Sequence, residues 1–153
     1  MIQKALFTSN TEERATPEDL FKKLNKQFKF TLDPCSTEEN HKCEKYYTKK
    51  ENWLIQDRND QIVFVNPPYW KEIWKRIEKG SNVNKICVML LPARTDTKRF
   101  QDIVLKKANR IHFIKWRLKF WGSKNSAPFP SVIVVFDNIE KKEEYTATLY
   151  YNI

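Results

Sequence analysis

Ile62-Val63-Phe64-Val65-Asn66-Pro67-Pro68-Tyr69 is the stretch that decides the fold. Four apolar residues, three of them β-branched, run straight into Asn-Pro-Pro-Tyr. A strand that meets two prolines cannot continue its ladder, because neither proline has an N–H to give. The Asn66 side chain and the carbonyls beside it are therefore expected at the C-terminal edge of a sheet. In open α/β sheets that edge is where ligands bind.

The chain on either side supports such a sheet. Thr16-Pro17-Glu18-Asp19 reads as a helix start with Thr16 as N-cap, and Leu20, Phe21, Leu24 and Phe28 recur at helical spacing behind it. Phe30-Thr31-Leu32 reads as a short strand closed by Asp33-Pro34. Residues 35–50 read as a polar loop with room for one helical turn, and Trp53-Leu54-Ile55 as a small strand ending near Asp57. Trp70, Ile73, Trp74 and Ile77 predict an amphipathic helix with Gly80 near its C-terminus. Ile86 to Leu91 is apolar throughout, as in a central strand buried on both faces. Phe100, Ile103, Val104 and Lys107-Ala108 predict another helix. Strands are expected over 110–115 and 131–136, with an edge strand over 145–151. Strands alternating with helices give an α/β domain with a largely parallel sheet. The last strands follow one another without a helix, so an antiparallel edge hairpin is expected. No linker or repeat divides residues 1–153, which read as a single domain with residues 1–15 as a loosely held arm.

Composition narrows the partners. The chain carries 28 Lys+Arg against 19 Asp+Glu, a net charge of +9, which favours a polyanion such as nucleic acid. No apolar run approaches the length of a bilayer span, and no signal segment is visible, so a cytoplasmic protein is expected. Three cysteines, Cys35, Cys43 and Cys87, fit a reducing compartment. Cys35, His41 and Cys43 match no common zinc spacing, so no metal is expected. The chain has only two glycines, Gly80 and Gly122, which leaves no Gly-rich phosphate loop.

The strand-end residues suit the activation of a conjugated amine. An exocyclic amino group on a nucleobase is a poor nucleophile, because its lone pair is delocalised into the ring. The Asn66 amide oxygen and the Pro67 carbonyl could each accept one of its hydrogens and free the lone pair. Proline rigidity would hold both acceptors in place. Tyr69 offers a flat face for a flipped base. A plain strand followed by a Pro-Pro turn, with Tyr69 as a core aromatic, is the alternative. Asp33 likewise reads either as a partner for the ammonium of an amino-acid-like ligand or as a turn residue before Pro34. The segment Lys115-Trp116-Arg117-Leu118-Lys119-Phe120-Trp121-Gly122-Ser123-Lys124 interleaves cations with aromatics, as phosphate contact plus base stacking requires. Trp116 and Phe120 are expected to pack inward while Arg117, Lys119 and Lys124 face DNA. Arg94, Lys98 and Arg99 follow a strand end and are expected at the same edge.

These blocks together resemble the small phage-type DNA N6-adenine methyltransferases, the phage relatives of the Dam enzymes. The matching blocks are Thr16-Pro17-Glu18-Asp19-Leu20-Phe21, Phe30-Thr31-Leu32-Asp33-Pro34-Cys35, Asn40-His41-Lys42-Cys43 and Asn66-Pro67-Pro68-Tyr69. Leu91-Pro92-Ala93-Arg94-Thr95-Asp96-Thr97, Arg117-Leu118-Lys119-Phe120 and Ala127-Pro128-Phe129-Pro130-Ser131 follow in order, so the resemblance covers roughly residues 8–136. It implies a Rossmann-like class I methyltransferase fold and S-adenosylmethionine as methyl donor. It implies that Thr16, Pro17, Asp33, Pro34 and Cys35 line the donor pocket, with Asn40 serving the donor's ribose. Asp57 resembles the acid near the donor's adenine. Asn66, Pro67, Pro68 and Tyr69 would hold the target adenine, and Phe129 would stack on its far side. Arg14 stands where the family usually shows Trp. A separate target-recognition domain has no room, so either loops carry a short specificity or a homodimer partner adds contacts. The same Asn-Pro-Pro-Tyr chemistry serves cytosine N4 and protein glutamine, and a catalytically degenerate DNA-binding decoy on this fold is a further alternative.

Overall fold

The computed structural model describes residues 14–57, 60–69 and 72–139, with the backbone of 146–148. Most of the expected arm, together with Trp70 and most of the 145–151 segment, lies outside the described residues. A seven-stranded sheet forms the frame: β1 (Leu32–Asp33), β2 (Lys45–Tyr46), β3 (Ile62–Val65), β4 (Ile86–Pro92), β5 (Arg110–Phe113), β6 (Ser131–Asp137) and β7 (Thr146–Thr148). Their order across the sheet is β2-β1-β3-β4-β6-β5-β7. Strands β2, β1, β3 and β4 pair in parallel, and β7 lies parallel to β5. The expected antiparallel hairpin is β5–β6, and it is inserted rather than appended. β6 lies between β4 and β5 and runs antiparallel to both, while β7 takes the edge beyond β5.

The apolar runs of β3, β4 and β6 are buried on both faces because alternate residues enter two cores. Val63, Val65, Cys87, Met89, Leu91, Val132, Val134 and Phe136 face one core, with Trp53, Ile77, Phe100 and Val104 packed on them. Phe64, Val88, Leu90, Ile133 and Val135 face the other, covered by Leu20, Phe21, Leu24 and Phe28. Those four come from α1 (Glu18–Phe28), whose apolar residues sit on one stripe as the spacing predicts.

Helix α2 (Ile73–Ser81) follows β3, and a segment with π-type turns (Phe100–Val104) runs into the short α3 (Leu105–Lys107) after β4. Gly80 does not cap α2, whose C-cap is Asn82. It is buried within the helix, where an added Cβ would lie 2.9 Å from both Cys87 Sγ and Met89 Sδ. Its role is close approach of helix to sheet.

Trp53–Ile55 is a 3-10 turn and not the expected strand. Asn52, in the left-handed region at φ 47°, caps the turn by accepting from the Leu54 N–H, and Trp53 is buried. The Lys79 ammonium donates to the Leu54 and Gln56 carbonyls, which a ladder would otherwise need. Three apolar residues are too few for periodicity to separate turn from strand. The expected loop over 35–50 contains the short edge strand β2, and β5 stops two residues earlier than expected.

Candidate active site

Strands β1, β3, β4 and β5 all end at one edge of the sheet, and antiparallel β6 begins there, with Pro92 opposite Ser131. From β1 the chain goes to β2 on one side, whereas β3 and β4 lie on the other. The gap between the ends of β1 and β3 is therefore the topological switch point, where open α/β sheets hold ligands. Asp33 ends β1 and Asn66 follows β3, so both flank that gap.

Asn66 is clamped by the segment that enters α1. Its Nδ2 donates to the Arg14 carbonyl at 2.5 Å and to the Thr16 hydroxyl oxygen at 3.0 Å. A backbone carbonyl only accepts, so the NH₂ must face Arg14 and Oδ1 must face the other way. There Oδ1 accepts a hydrogen bond from the Tyr69 hydroxyl at 3.0 Å. Burial pushes the Tyr69 phenol well above its usual range, against the partial opposition of the Arg14 charge, so the hydroxyl stays protonated and donates. Oδ1 keeps a second lone pair for another donor.

This geometry corrects two expectations. Thr16, only 3% exposed, does not cap α1. Pro17 occupies the cap position and its carbonyl accepts from the Phe21 N–H, which leaves the Thr16 hydroxyl for Asn66. Arg14 and Ala15 are not loosely held. Ala15 forms an antiparallel bridge with Trp121, whose N–H donates to the Ala15 carbonyl at 3.0 Å. The strap 14–16 thus joins β3 to the 114–130 loop.

Tyr69 and Phe129 come together as expected, with ring centres 5.4 Å apart, but at 80° to one another. Tyr69 also meets Phe120 edge-to-face at 6.2 Å. The Arg14 guanidinium lies 5.1 Å from the Phe129 ring centre and 5.6 Å from that of Phe120. A base held between two parallel rings needs about 7 Å between them, twice a van der Waals contact. Tyr69 or Phe129 must turn, and Arg14 must give way, before a base could be sandwiched.

At the other side of the gap, Asp33 is 4% exposed. Its Oδ2 accepts the Lys42 N–H at 3.0 Å and its Oδ1 the Cys35 N–H at 3.4 Å. Burial pushes its pKa up to about 6, outweighing those two hydrogen bonds and the nearby His41 and Lys42 charges. Pro34 is buried beside it. Burial pushes the Cys35 thiol up to about 12 despite Arg76 next to it, so Cys35 is a neutral thiol. Asn40 Oδ1 accepts the Thr37 N–H at 2.7 Å and closes the turn in the same loop. Asp33, Pro34, Cys35 and Asn40 therefore belong to one loop, knitted by the Asp33 carboxylate. Asp57 is different: no strand leads to it, and it is exposed just beyond the 3-10 turn.

The cations fall on the expected edge. Arg94, Lys98 and Arg99 come from the segment after β4, and Arg117, Lys119 and Lys124 from the loop between β5 and β6; all are exposed. Arg99 is stacked on the Trp74 ring, 4.0 Å from its centre. In the loop, Phe120 is buried as expected, whereas Trp116 is 79% exposed and Trp121 75%. Phe120 turns into the core beneath Arg14, while Trp116 has a left-handed backbone, φ 70°, within a stretch of exposed cations. Arg14 as a clamp on Asn66 is the residue that sequence reasoning missed. Its carbonyl acts through the backbone and has no residue signature.

A family model described as DNA N-6-adenine-methyltransferase (Dam) matches residues 4–150. Over 93 residues the chain is 35% identical to the DNA N-6-adenine-methyltransferase of Escherichia phage T1. That match covers 58% of this chain and 39% of the relative, so it spans well under half of the relative's length. A solved Listeria monocytogenes protein, described as a class I S-adenosylmethionine-dependent methyltransferase, superposes with a TM-score of 0.63. It is 12% identical, and the superposition covers 97% of this chain and 71% of that one; the likeness is one of fold. The fold is thus the mostly parallel α/β sheet of class I methyltransferases, and the chain belongs to the DNA N-6-adenine-methyltransferase (Dam) family.

Proposed function

We propose that this protein transfers a methyl group from S-adenosylmethionine to the N6 amine of a flipped-out adenine in DNA. The observation that carries the reading is the fixed amide of Asn66. Its NH₂ is spent on Arg14 and Thr16, so its oxygen is the atom offered at the sheet edge. An acceptor held in advance draws on one N–H of the amine, and the rigid Pro67 carbonyl is available for the other. The amine's lone pair then localises and can attack. The donor's sulfonium would supply an electrophilic methyl group and leave as a neutral thioether, its S–CH3 bond breaking as the N–C bond forms. Once methylated, the nitrogen carries a positive charge and releases its extra proton to solvent, so no dedicated base is required.

In this reading Tyr69 and Phe129 stack on the base after Arg14 yields its place on Phe129. The loop of Asp33, Pro34, Cys35 and Asn40 would hold the donor, with Thr16 and Pro17 near it. The Asp33 carboxylate, whose lone pairs are not exhausted by two backbone N–H groups, would take the donor's ammonium. No helix among the described residues is long and apolar enough to cross a membrane, and with DNA as substrate the setting proposed is the host cytoplasm. Exposed Arg94, Lys98, Arg117, Lys119 and Lys124 would contact phosphates. Family membership favours adenine over cytosine, whose amine would meet the same acceptors.

The test is incubation with labelled S-adenosylmethionine and unmethylated DNA, followed by nucleoside analysis. Label in N6-methyladenine is the expected result. Label in N4-methylcytosine would overturn the base, and no label together with no donor binding by calorimetry would overturn the activity and leave a DNA-binding decoy.

A further inference from the structure

We infer that Trp121 and Trp116 form a base-stacking element that engages the DNA beside the target nucleotide. The inference rests on the reading of DNA as substrate, and it assigns a surface rather than the reacting groups. Two indoles stand in solvent at 75% and 79% exposure on one loop, while Phe120 between them is buried to 1%. A buried neighbour shows that the loop can turn an aromatic inward, so the exposure of the other two is a choice of direction. Trp116 holds its direction at a backbone cost, since a bulky residue at φ 70° is strained.

Position makes the pair relevant to the site. The Trp121 N–H bonds to the Ala15 carbonyl, and Ala15 lies between Arg14 and Thr16, the two residues that clamp Asn66. Trp121 is therefore one backbone bridge away from the acceptor offered to the amine. Charge decides the occupant. Lys115, Arg117, Lys119 and Lys124 are exposed on the same loop as the indoles, with the Lys115 ammonium 5.3 Å from the Trp116 ring centre. Cations for phosphates and flat apolar faces for bases are what a DNA strand requires. Extruding one base leaves its neighbours with an uncovered face, and an indole inserted there restores the stack.

The experiment compares wild type with Trp121→Ala, Trp121→Phe and Trp116→Gly, using a labelled duplex oligonucleotide. Glycine suits the left-handed backbone at 116, so lost affinity in that variant is not lost folding. Binding is read by anisotropy and by quenching of tryptophan emission, and oligomeric state by light scattering. Trp121→Ala and Trp116→Gly should each bind about tenfold more weakly, within the range for one lost base stack, with melting temperature not lowered. Trp121→Phe should recover most of the affinity, and DNA should quench wild-type emission more than that of either single variant. Variants that bind like wild type overturn the inference. So does a fall in molecular mass with DNA affinity kept, which would mark the indoles as a contact between two copies. If the variants lose affinity as expected but wild type transfers no methyl, the activity reading falls and this inference stands. If wild type methylates DNA and the variants bind and methylate equally well, the reverse holds.

Discussion

The Thr16 hydroxyl accepts a hydrogen bond from the Asn66 amide at 3.0 Å, across a sequence separation of 50 residues. With the Arg14 carbonyl it fixes which end of that amide faces away from the strap and would meet the reactants. An acceptor that is already oriented need not reorganise as charge develops on the amine. Thr16→Val keeps the shape and removes the hydroxyl, and we expect turnover to fall about tenfold, the effect of losing one positioned hydrogen bond. Thr16→Ser should restore most of it. If positioning is the whole role, the dissociation constant for S-adenosylmethionine, measured by calorimetry, stays unchanged. A weakened donor would instead place Thr16 in the donor pocket, as the family resemblance implies.

In the proposed reaction Asn66 and Tyr69 divide the work between acceptor and stacking face, and their variants should differ accordingly. Asn66→Ala and Tyr69→Ala should each lower turnover at least about tenfold while leaving the fold intact. Tyr69→Phe keeps the ring and loses only the hydroxyl, with its bonds to Asn66 Oδ1 and the Leu90 carbonyl, so it should retain more activity than Tyr69→Ala. Steady-state methyl transfer with circular dichroism as the folding control checks all three. Wild-type turnover by Asn66→Ala would remove the proposed chemistry.

The frame was legible in the sequence because long apolar runs have few uses. Residues 86–91 and 131–136 can hardly be anything but central strands, and Asn-Pro-Pro after 62–65 marks a strand end. Four things were not legible. The insertion of β6 between β4 and β5 is a matter of pairing, which local pattern does not encode. The turn at Trp53–Ile55 depends on Lys79 reaching its carbonyls from another helix. Thr16 looked like a helix cap because Thr-Pro-Glu-Asp is a good cap sequence, yet a tertiary partner outcompeted the local one. The exposure of Trp116, expected to pack inward, was not legible either, because periodicity has no meaning in a loop.

Gly80 offers a test of the packing between α2 and the sheet. Alanine is the better helix former by about 1 kcal/mol. The new methyl, however, would stand 2.9 Å from Cys87 Sγ and Met89 Sδ, both on buried residues of the central strand. Overpacking of that kind costs roughly 1–3 kcal/mol, so the loss should outweigh the gain. Gly80→Ala should melt a few degrees lower, about 3 °C for a net loss near 1 kcal/mol. Thermal unfolding followed by circular dichroism gives the sign directly.

Asp33 ties stability and, in the proposed reaction, donor binding to one proton, with opposite signs. Its folded-state pKa is raised from 3.8 to about 6, chiefly by burial. A raised carboxyl favours the protonated form in the folded state, so its ionisation opposes folding above pH 6, and that penalty fades as pH falls toward 3.8. The full effect is on the order of 3 kcal/mol, of which roughly 1 kcal/mol should appear between pH 7 and pH 5. Denaturant unfolding of wild type and Asp33→Asn across that interval should therefore shift in favour of wild type as pH drops. A carboxylate held below its ordinary value would shift the other way. If Asp33 also takes the donor's ammonium, it must be ionised to do so. Calorimetry should then find S-adenosylmethionine bound less tightly by wild type below about pH 6, while Asp33→Asn shows weak binding with little dependence on pH. A donor affinity in wild type that is flat from pH 7 to pH 5 would confine Asp33 to holding the loop of Cys35 and Lys42.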